Sequence, residues 1–455
     1  MPYNKAHILT TQPDIYDLLV IIKNLEVKVA GLEEELAFYR KRKNSNNSHI
    51  PPSKDENRPA RNQSLRKPSG KKPGGQPGHD GKTLEMSTEV DKVIQHIPEY
   101  CHCCGKDLTG SEEVLSERRQ VIDIPPIKME RTEHQVFSKT CSCGHVTQSP
   151  FPNEVKSSVQ YGSNIEALIA YMHTRHYLPF NRMKEFFSDV MGLPVSEGGI
   201  YHILQRFAQK SFPVYEQIKE RIKNAVFLGT DETGVKVDGK THWFWTWQND
   251  QLTYIVHSDN RGFATIHATF EKGLPNTILQ HDRWASHFQC LAKHHQICMA
   301  HILRELNYIH DLYECNWSAH FKAVITGAIQ LKNKLTETDY RYENTDREVF
   351  EKNLDDLLHT ILPTHHKKAI VLQKKLRKIQ DCILYFLHHP KVPPDNNGSE
   401  RAIRNIKVKQ KISGQFKSIK GAECFAIIRS IIDTTIKSGQ NILEALSLIA
   451  KFGNA

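Results

Sequence analysis

No run of about eighteen apolar residues interrupts the 455-residue chain, so a helix crossing a bilayer is excluded from the reading. The first residues, "MPYNKAHILTTQPD", lack the apolar core of a secretory signal, and a cytoplasmic, nucleoid-associated location is expected. An evenly spread disulfide framework is missing too. Of ten cysteines, five crowd between Cys101 and Cys143, a distribution that suits metal ligation in a reducing compartment. One stretch is poor in acids and in apolar residues: from Arg40 to Lys82 there are twelve Lys or Arg against three Asp or Glu. Nearly all of the chain's net charge of +10 therefore resides in this arm, whose Pro, Gly, Ser and Asn content offers no core. Residues 44–95 read either as a solvated linker or as an arm that tracks phosphates, with Lys71 and Lys72 as DNA contacts.

What is present falls into segments. Over residues 14–43, Leu18, Ile22, Leu25, Val29, Leu32, Leu36 and Tyr39 alternate steps of four and three, the seam of a coiled coil. Its β-branched and Leu positions alternate in the order that favours a parallel dimer, whereas an amphipathic helix docked on its own core is the plainer alternative. In residues 96–150, "CHCCGKDL" and "CSCGHV" are two knuckles of closely spaced thiols, each followed by a turn-permitting glycine and separated by a stretch that reads as β-rich. Such a pair suits a tetrahedral Zn²⁺, with Cys101, Cys104, Cys141 and Cys143 as ligands and Cys103, His102 and His145 near enough to substitute. Residues 157–224 are helical by pattern. "RMKEFFSDVMGLPVSEGGIYHILQRF" has the form of helix, turn and helix, with Ser196 as a cap. It reads as a DNA-reading pair or as ordinary packing.

The period then drops to two. "AVFLGTDETGVKV", "THWFWTWQN" and "LTYIVHS" predict three antiparallel strands, with "VDGK" as a hairpin turn, followed by a helix near "FATIHATF" and a strand ending "TILQHD". That order is the order of an RNase H-like sheet, with Asp231 on the first strand and Asp282 at the end of the fourth. The stretch "DNNGSERAIRNIKVKQK", residues 395–411, predicts a helix with Ala402, Ile403 and Ile406 on its packing side. Glu400 shares the other side with Arg404, Lys407 and Lys411. One reading makes Glu400 half of a capping box with Asn397. The other makes it a metal ligand beside DNA phosphates, completing with Asp231 and Asp282 a site for two Mg²⁺ or Mn²⁺ ions, with Arg401, Arg404, Lys407 and Lys411 on the backbone.

The order of parts is itself specific: heptads, "PPSKD" and "GGQPGH", a Cys knuckle pair, "TDETG", an Asp followed by Trp, "CMAHILREL" and "DNNGSERAIR". It resembles a transposase of the insertion sequence 66 family over nearly the whole chain. The resemblance implies a DDE triad at Asp231, Asp282 and Glu400, and a zinc finger over Cys101 to Cys143. It also implies a match at Cys298, His301 and Arg304, for which core packing or DNA contact fits better than metal binding. Three departures stand out: His287 where the family usually carries tyrosine, one residue between Cys141 and Cys143, and "KVKQKISGQF" in place of an Arg-Lys-Asn stretch. The expected fold is multidomain α+β: coiled coil, zinc-binding module, helical DNA-binding region, and an RNase H-like catalytic domain at 225–435 interrupted by a helical insertion at about 305–390, with a helix at 436–455. The expected activity is metal-dependent cleavage at the terminal inverted repeats of an insertion sequence and strand transfer into target DNA. The partners are double-stranded DNA, further copies in a homodimer or higher oligomer, and accessory proteins encoded by the element. A catalytically inactive DNA-binding descendant is the competing class, and a nuclease without strand transfer is a third.

Overall fold

The computed structural model describes residues 15–40, 43–45, 47–48, 55, 84–127, 129–342 and 344–452. The chain divides into two compact units, residues 60–130 and the remainder. Lys71 and Lys72 lie outside the described residues.

Within the smaller unit, the chain around the first knuckle folds back on itself. Cys101 donates its amide to the Lys106 carbonyl and accepts from Gly105 at 2.8 Å each, and Tyr100 bridges Asp107. The expected β-rich stretch after it is corrected: residues 117–127 and 129–137 carry no strand, and pairing begins only at β1 (Ser138–Thr140) with β2 (Val146–Gln148). Alternating "VIDIPPI" looks like a strand, but two consecutive prolines withhold ladder donors and, among the described residues, no strand pairs with it.

In the larger unit, α1 (Ile15–Arg40) leaves Leu18, Ile22, Leu25, Val29, Leu32 and Leu36 exposed. Three helices follow: α2 (Ser163–Thr174), α3 (Phe180–Met191) and α4 (Glu197–Lys223). Helix α3 stops at Gly192 in the left-handed region, and the Ser196 hydroxyl accepts from the Gly199 amide at 3.0 Å to cap α4, as expected.

The sheet has five strands in the order β5–β4–β3–β6–β7. Strands β3 (Phe227–Val237), β4 (Lys240–Gln248) and β5 (Thr253–Ser258) are antiparallel, and β6 (Leu274–His281) returns parallel to β3 after α5 (Phe263–Thr269). Asp238 and Gly239 both take positive φ, which gives the β3–β4 hairpin a twist matched to its strands. A further strand, β7 (Ala292–Ile297), parallel to β6, was not expected; "AKHHQI" is polar and is buried only at its last two residues. Side chains alternate across the sheet. Val235, Val237, Phe244 and Ile255 pack with Ile406, Phe416, Phe425 and Ala426 beneath α11 (Asn397–Ser413) and α12 (Ile419–Lys437). Trp245 and Trp247 meet His287 and Phe270 on the opposite face.

After β7 the chain leaves the sheet through α7 (Met299–Tyr313), α8 (Asn316–Lys332), α9 (Thr345–His359) and α10 (Lys367–Arg377). These pack around Trp317, Phe321, Leu354, Leu372 and Phe386 in a core that continues into Phe227, Ile278 and Ile297 of the sheet, before the chain rejoins the sheet. The last helix, α13 (Ile442–Phe452), packs on α2.

Buried Asn396, immediately before α11, fixes that return. Its Nδ2 donates to the Thr230 carbonyl of β3 at 2.8 Å, its Oδ1 accepts from the Ser399 hydroxyl at 2.7 Å, and its amide donates to Cys298 Sγ at 3.3 Å. Asn396→Ala would orphan buried polar groups on both sides. Chemical denaturation should show a loss of about 1–3 kcal/mol.

Candidate active site

Asp231 lies in the middle of β3, paired across the ladder with Thr246, on the face that α11 covers. Its neighbour Glu232 pairs with Trp245 and points the other way. Asp282 directly follows β6, and Glu400 lies in the first turn of α11. Burial raises the Asp231 carboxyl well above the usual carboxylate range, and the negative charges of Asp282, Glu232 and Glu400 push it further in the same direction. The Glu232 amide donates to Asp231 Oδ1 at 2.9 Å and opposes the shift without cancelling it. Among the described residues none of the three carboxylates forms an ion pair. The fold thus brings Asp282 and Glu400, from distant parts of the sequence, close enough for their charges to act on Asp231, and among the described residues no cation pairs with any of the three.

A hard divalent cation suits this donor set, because oxygen ligands of like charge repel until an ion lies between them. Among the described residues no three His, Cys, Asp or Glu side chains are gathered around one point at ligand distance. The capping-box reading of Glu400 finds no counterpart. The cap of α11 is Asn396 rather than Asn397, and no side chain caps the helix.

Sequence reasoning missed the residues that hold the Asp282 turn. Arg283 takes a positive φ of 66° and pairs with Glu305. Asp282 Oδ1 accepts from the Trp284 amide at 3.1 Å. Buried His287, in α6 (Ala285–Phe288), donates from Nε2 to Glu232 Oε2 at 3.0 Å, and Arg261 binds Glu232 Oε1 through Nε at 3.0 Å and its second nitrogen at 2.9 Å. Glu232 therefore ties the turn to β3 from the face opposite Asp231. The departure at His287 was the one signal in the sequence.

Of the cationic face of α11, Arg401, Arg404 and Lys411 are exposed. Lys407 is instead half-buried, its ammonium bonded to the Gly234 carbonyl of β3. Arg401 also lines a cleft of about 1210 Å³ that contains none of the three acids. Buried Cys298 is a structural thiol, raised to about 11 by burial. At the knuckles, amide donors lower both Cys101 and Cys141: those of Cys104 and Cys103 act on the first, and that of Cys143 on the second. Gly105 and Gly144 sit at φ of 70° and 85°, the conformation each turn requires. Thiols already biased toward thiolate suit Zn²⁺.

Comparison with known proteins assigns the chain to a family. Residues 158–424 match the model of the Transposase IS66 family, and residues 98–144 match the zinc-finger binding domain of transposase IS66. The chain therefore belongs to a class of transposases, and it is a member of the IS66 family. An uncharacterized protein of Sinorhizobium fredii, y4jD, is 21% identical over 382 residues, covering 77% of this chain and 73% of that protein. No helix among the described residues is long and apolar enough to cross a membrane.

The raised Asp231 sets a pH dependence. A carboxyl whose folded pKa exceeds its unfolded value of about 3.9 contributes stability fully below that value, and the contribution is lost as pH rises through the folded pKa. In chelator, wild type should lose stability on going from about pH 4 to neutral. Asp231→Asn should flatten that decline and melt higher than wild type at pH 7, as read by calorimetry.

Proposed function

We propose that this transposase cuts the terminal inverted repeats of its own insertion sequence and joins the freed 3′ end to target DNA, with Asp231, Asp282 and Glu400 as metal-holding acids on an RNase H-like sheet. The observation that carries the reading is the convergence of three uncompensated carboxylates, felt at Asp231 as charge from both of the others. The strand order and the helical excursion between β7 and α11 support the same reading.

Two Mg²⁺ or Mn²⁺ ions held by these acids would activate the attacking oxygen and stabilise the leaving one. The chain itself supplies position. Asp231 comes from a strand interior, Asp282 from a turn pinned at both ends, and Glu400 from a helix start bonded to β3 through Asn396. Arg401, Arg404 and Lys411 face outward beside Glu400, where DNA phosphates would lie. Lys407 contributes by holding α11 on the sheet. Lys71 and Lys72 of the basic arm add further phosphate contacts. Cys101, Cys104, Cys141 and Cys143 hold Zn²⁺ in the finger, and the exposed apolar seam of α1 pairs with a second copy in a parallel coiled coil. Accessory proteins encoded by the element belong to the same reading, as does residence at the nucleoid.

The test is nicking of a labelled duplex carrying the element's end, with Mg²⁺ or Mn²⁺, by wild type and Glu400→Gln. Wild type should nick at the end while the variant binds without nicking. Equal nicking by both would remove Glu400 from the metal site, and binding without nicking by wild type would favour the inactive DNA-binding alternative. Replacing Arg401, Arg404 and Lys411 by Ala should weaken binding across sequences and make the slope of log K against log salt shallower by about 0.9 for each phosphate no longer neutralised. Elemental analysis should find one zinc per chain, lost in Cys101→Ser and in Cys141→Ser.

A further inference from the structure

Of the five tryptophans, Trp245, Trp247 and Trp317 are buried and Trp243 is half-buried, whereas Trp284 keeps 39% of its surface exposed. An exposed indole two residues from a candidate catalytic acid contributes little to the core. Its position is nevertheless fixed. The Trp284 amide is bonded to Asp282 Oδ1, so the orientation of the acid and the start of the indole's residue are set together. The preceding residue, Arg283, is held in a left-handed conformation that disfavours side chains, anchored by Glu305. The Arg261 guanidinium lies 4.0 Å from the Trp284 ring centroid and 4.8 Å from that of Trp243. Arg261 is itself locked by two bonds to Glu232, which His287 holds from the other side. A chain of polar contacts running from His287 through Glu232 to Arg261 therefore ends in one solvent-facing aromatic ring two residues from Asp282.

Arg261 spends its charge on Glu232, so this corner is built as a stacking surface rather than a phosphate clamp. A π-face backed by a guanidinium suits a nucleobase, whose own π-face is present whatever its identity. We infer that Trp284 is a stacking platform for a base unstacked from the DNA end next to the scissile phosphate, with Arg261, Glu232 and His287 as positioning residues. This rests on the proposed reading of the three acids as the cleavage site. Unstacking one nucleotide would let the strand bend so that its phosphate enters between Asp231 and Asp282, and the ring would offset the lost base stacking.

The probe is a duplex of the element's terminal repeat with 5-iododeoxyuridine in place of thymines beside the cleavage point. It is bound to the full chain in Ca²⁺, irradiated at long wavelength and mapped by mass spectrometry, with nicking of the unsubstituted duplex in Mg²⁺ measured in parallel. A cross-link at Trp284 is expected. Trp284→Ala should lose about tenfold to a hundredfold in nicking with end binding and melting temperature near wild type, and Trp284→Phe should recover most of it. A mismatch opposite the unstacked base should partly rescue Trp284→Ala. Wild-type nicking with no cross-link at Trp284, and with Trp284→Ala as active as wild type, would overturn the platform while leaving the cleavage site intact. A cross-link without wild-type nicking would support the platform and overturn the cleavage reading. Absence of both would overturn the two together.

Discussion

Adjacent residues on a strand must point to opposite faces, and the arrangement around this site follows from that constraint at Asp231 and Glu232. Asp231 is directed to the face that α11 covers, where Glu400 waits in the helix's first turn. Glu232 is directed to the other, where it binds His287 and Arg261. One dipeptide thus serves two purposes that would conflict on a single face. An acid left without a cation lies back to back with an acid saturated by partners. A shift of β3 by one residue against β4 would exchange the two roles, which makes the register of this hairpin, closed by Asp238 and Gly239, a functional quantity.

The second requirement is to bring Glu400 back after a long excursion. Helices α7 to α10 share an apolar core with Phe227, Ile278 and Ile297 of the sheet, and α11 is seated by Ile406 against the other face and oriented by a few polar bonds around Asn396. Buried amide groups suit this task because they have direction as well as strength. A misplaced α11 would leave the Thr230 carbonyl and Ser399 hydroxyl unsatisfied, so the helix has one favourable seat. Lys407 adds a second tie to the same strand, at Gly234. A lysine that the sequence puts on the outward face of α11 is in this way recruited to hold it.

The electrostatic state of the acids is the counterpart of this rigidity. Burial and the charges of Asp282, Glu232 and Glu400 make ionised Asp231 unfavourable, a cost that the packing of the sheet must offset. The turn carrying Asp282 is fixed by contacts on both of its sides. It is held by Glu305 on one side and Glu232 on the other, and its strained residue, Arg283, lies between the acid and the indole.

Much of this was legible in the chain. Period-two runs gave β3, β4 and β5; "VDGK" gave the turn; "SERAIRNI" gave a helix with Ala402, Ile403 and Ile406 buried; and Ser196 gave the cap of α4, because each depends on local rotation angles and local hydrogen bonds. The motif order identified the family. Strand β7 escaped because a polar edge strand is defined by its neighbour rather than by its own pattern. The stretch before β1 misled for the converse reason, having alternation but no neighbour. Lys407, Glu232, Arg261, His287 and Trp284 acquired their roles only in three dimensions. Nothing in the spacing of residues 232, 261, 284 and 287 brings them together. Their contact follows from pairing β3 with β6 in one sheet and bringing the β5–α5 connection and α6 against it, which local sequence cannot encode.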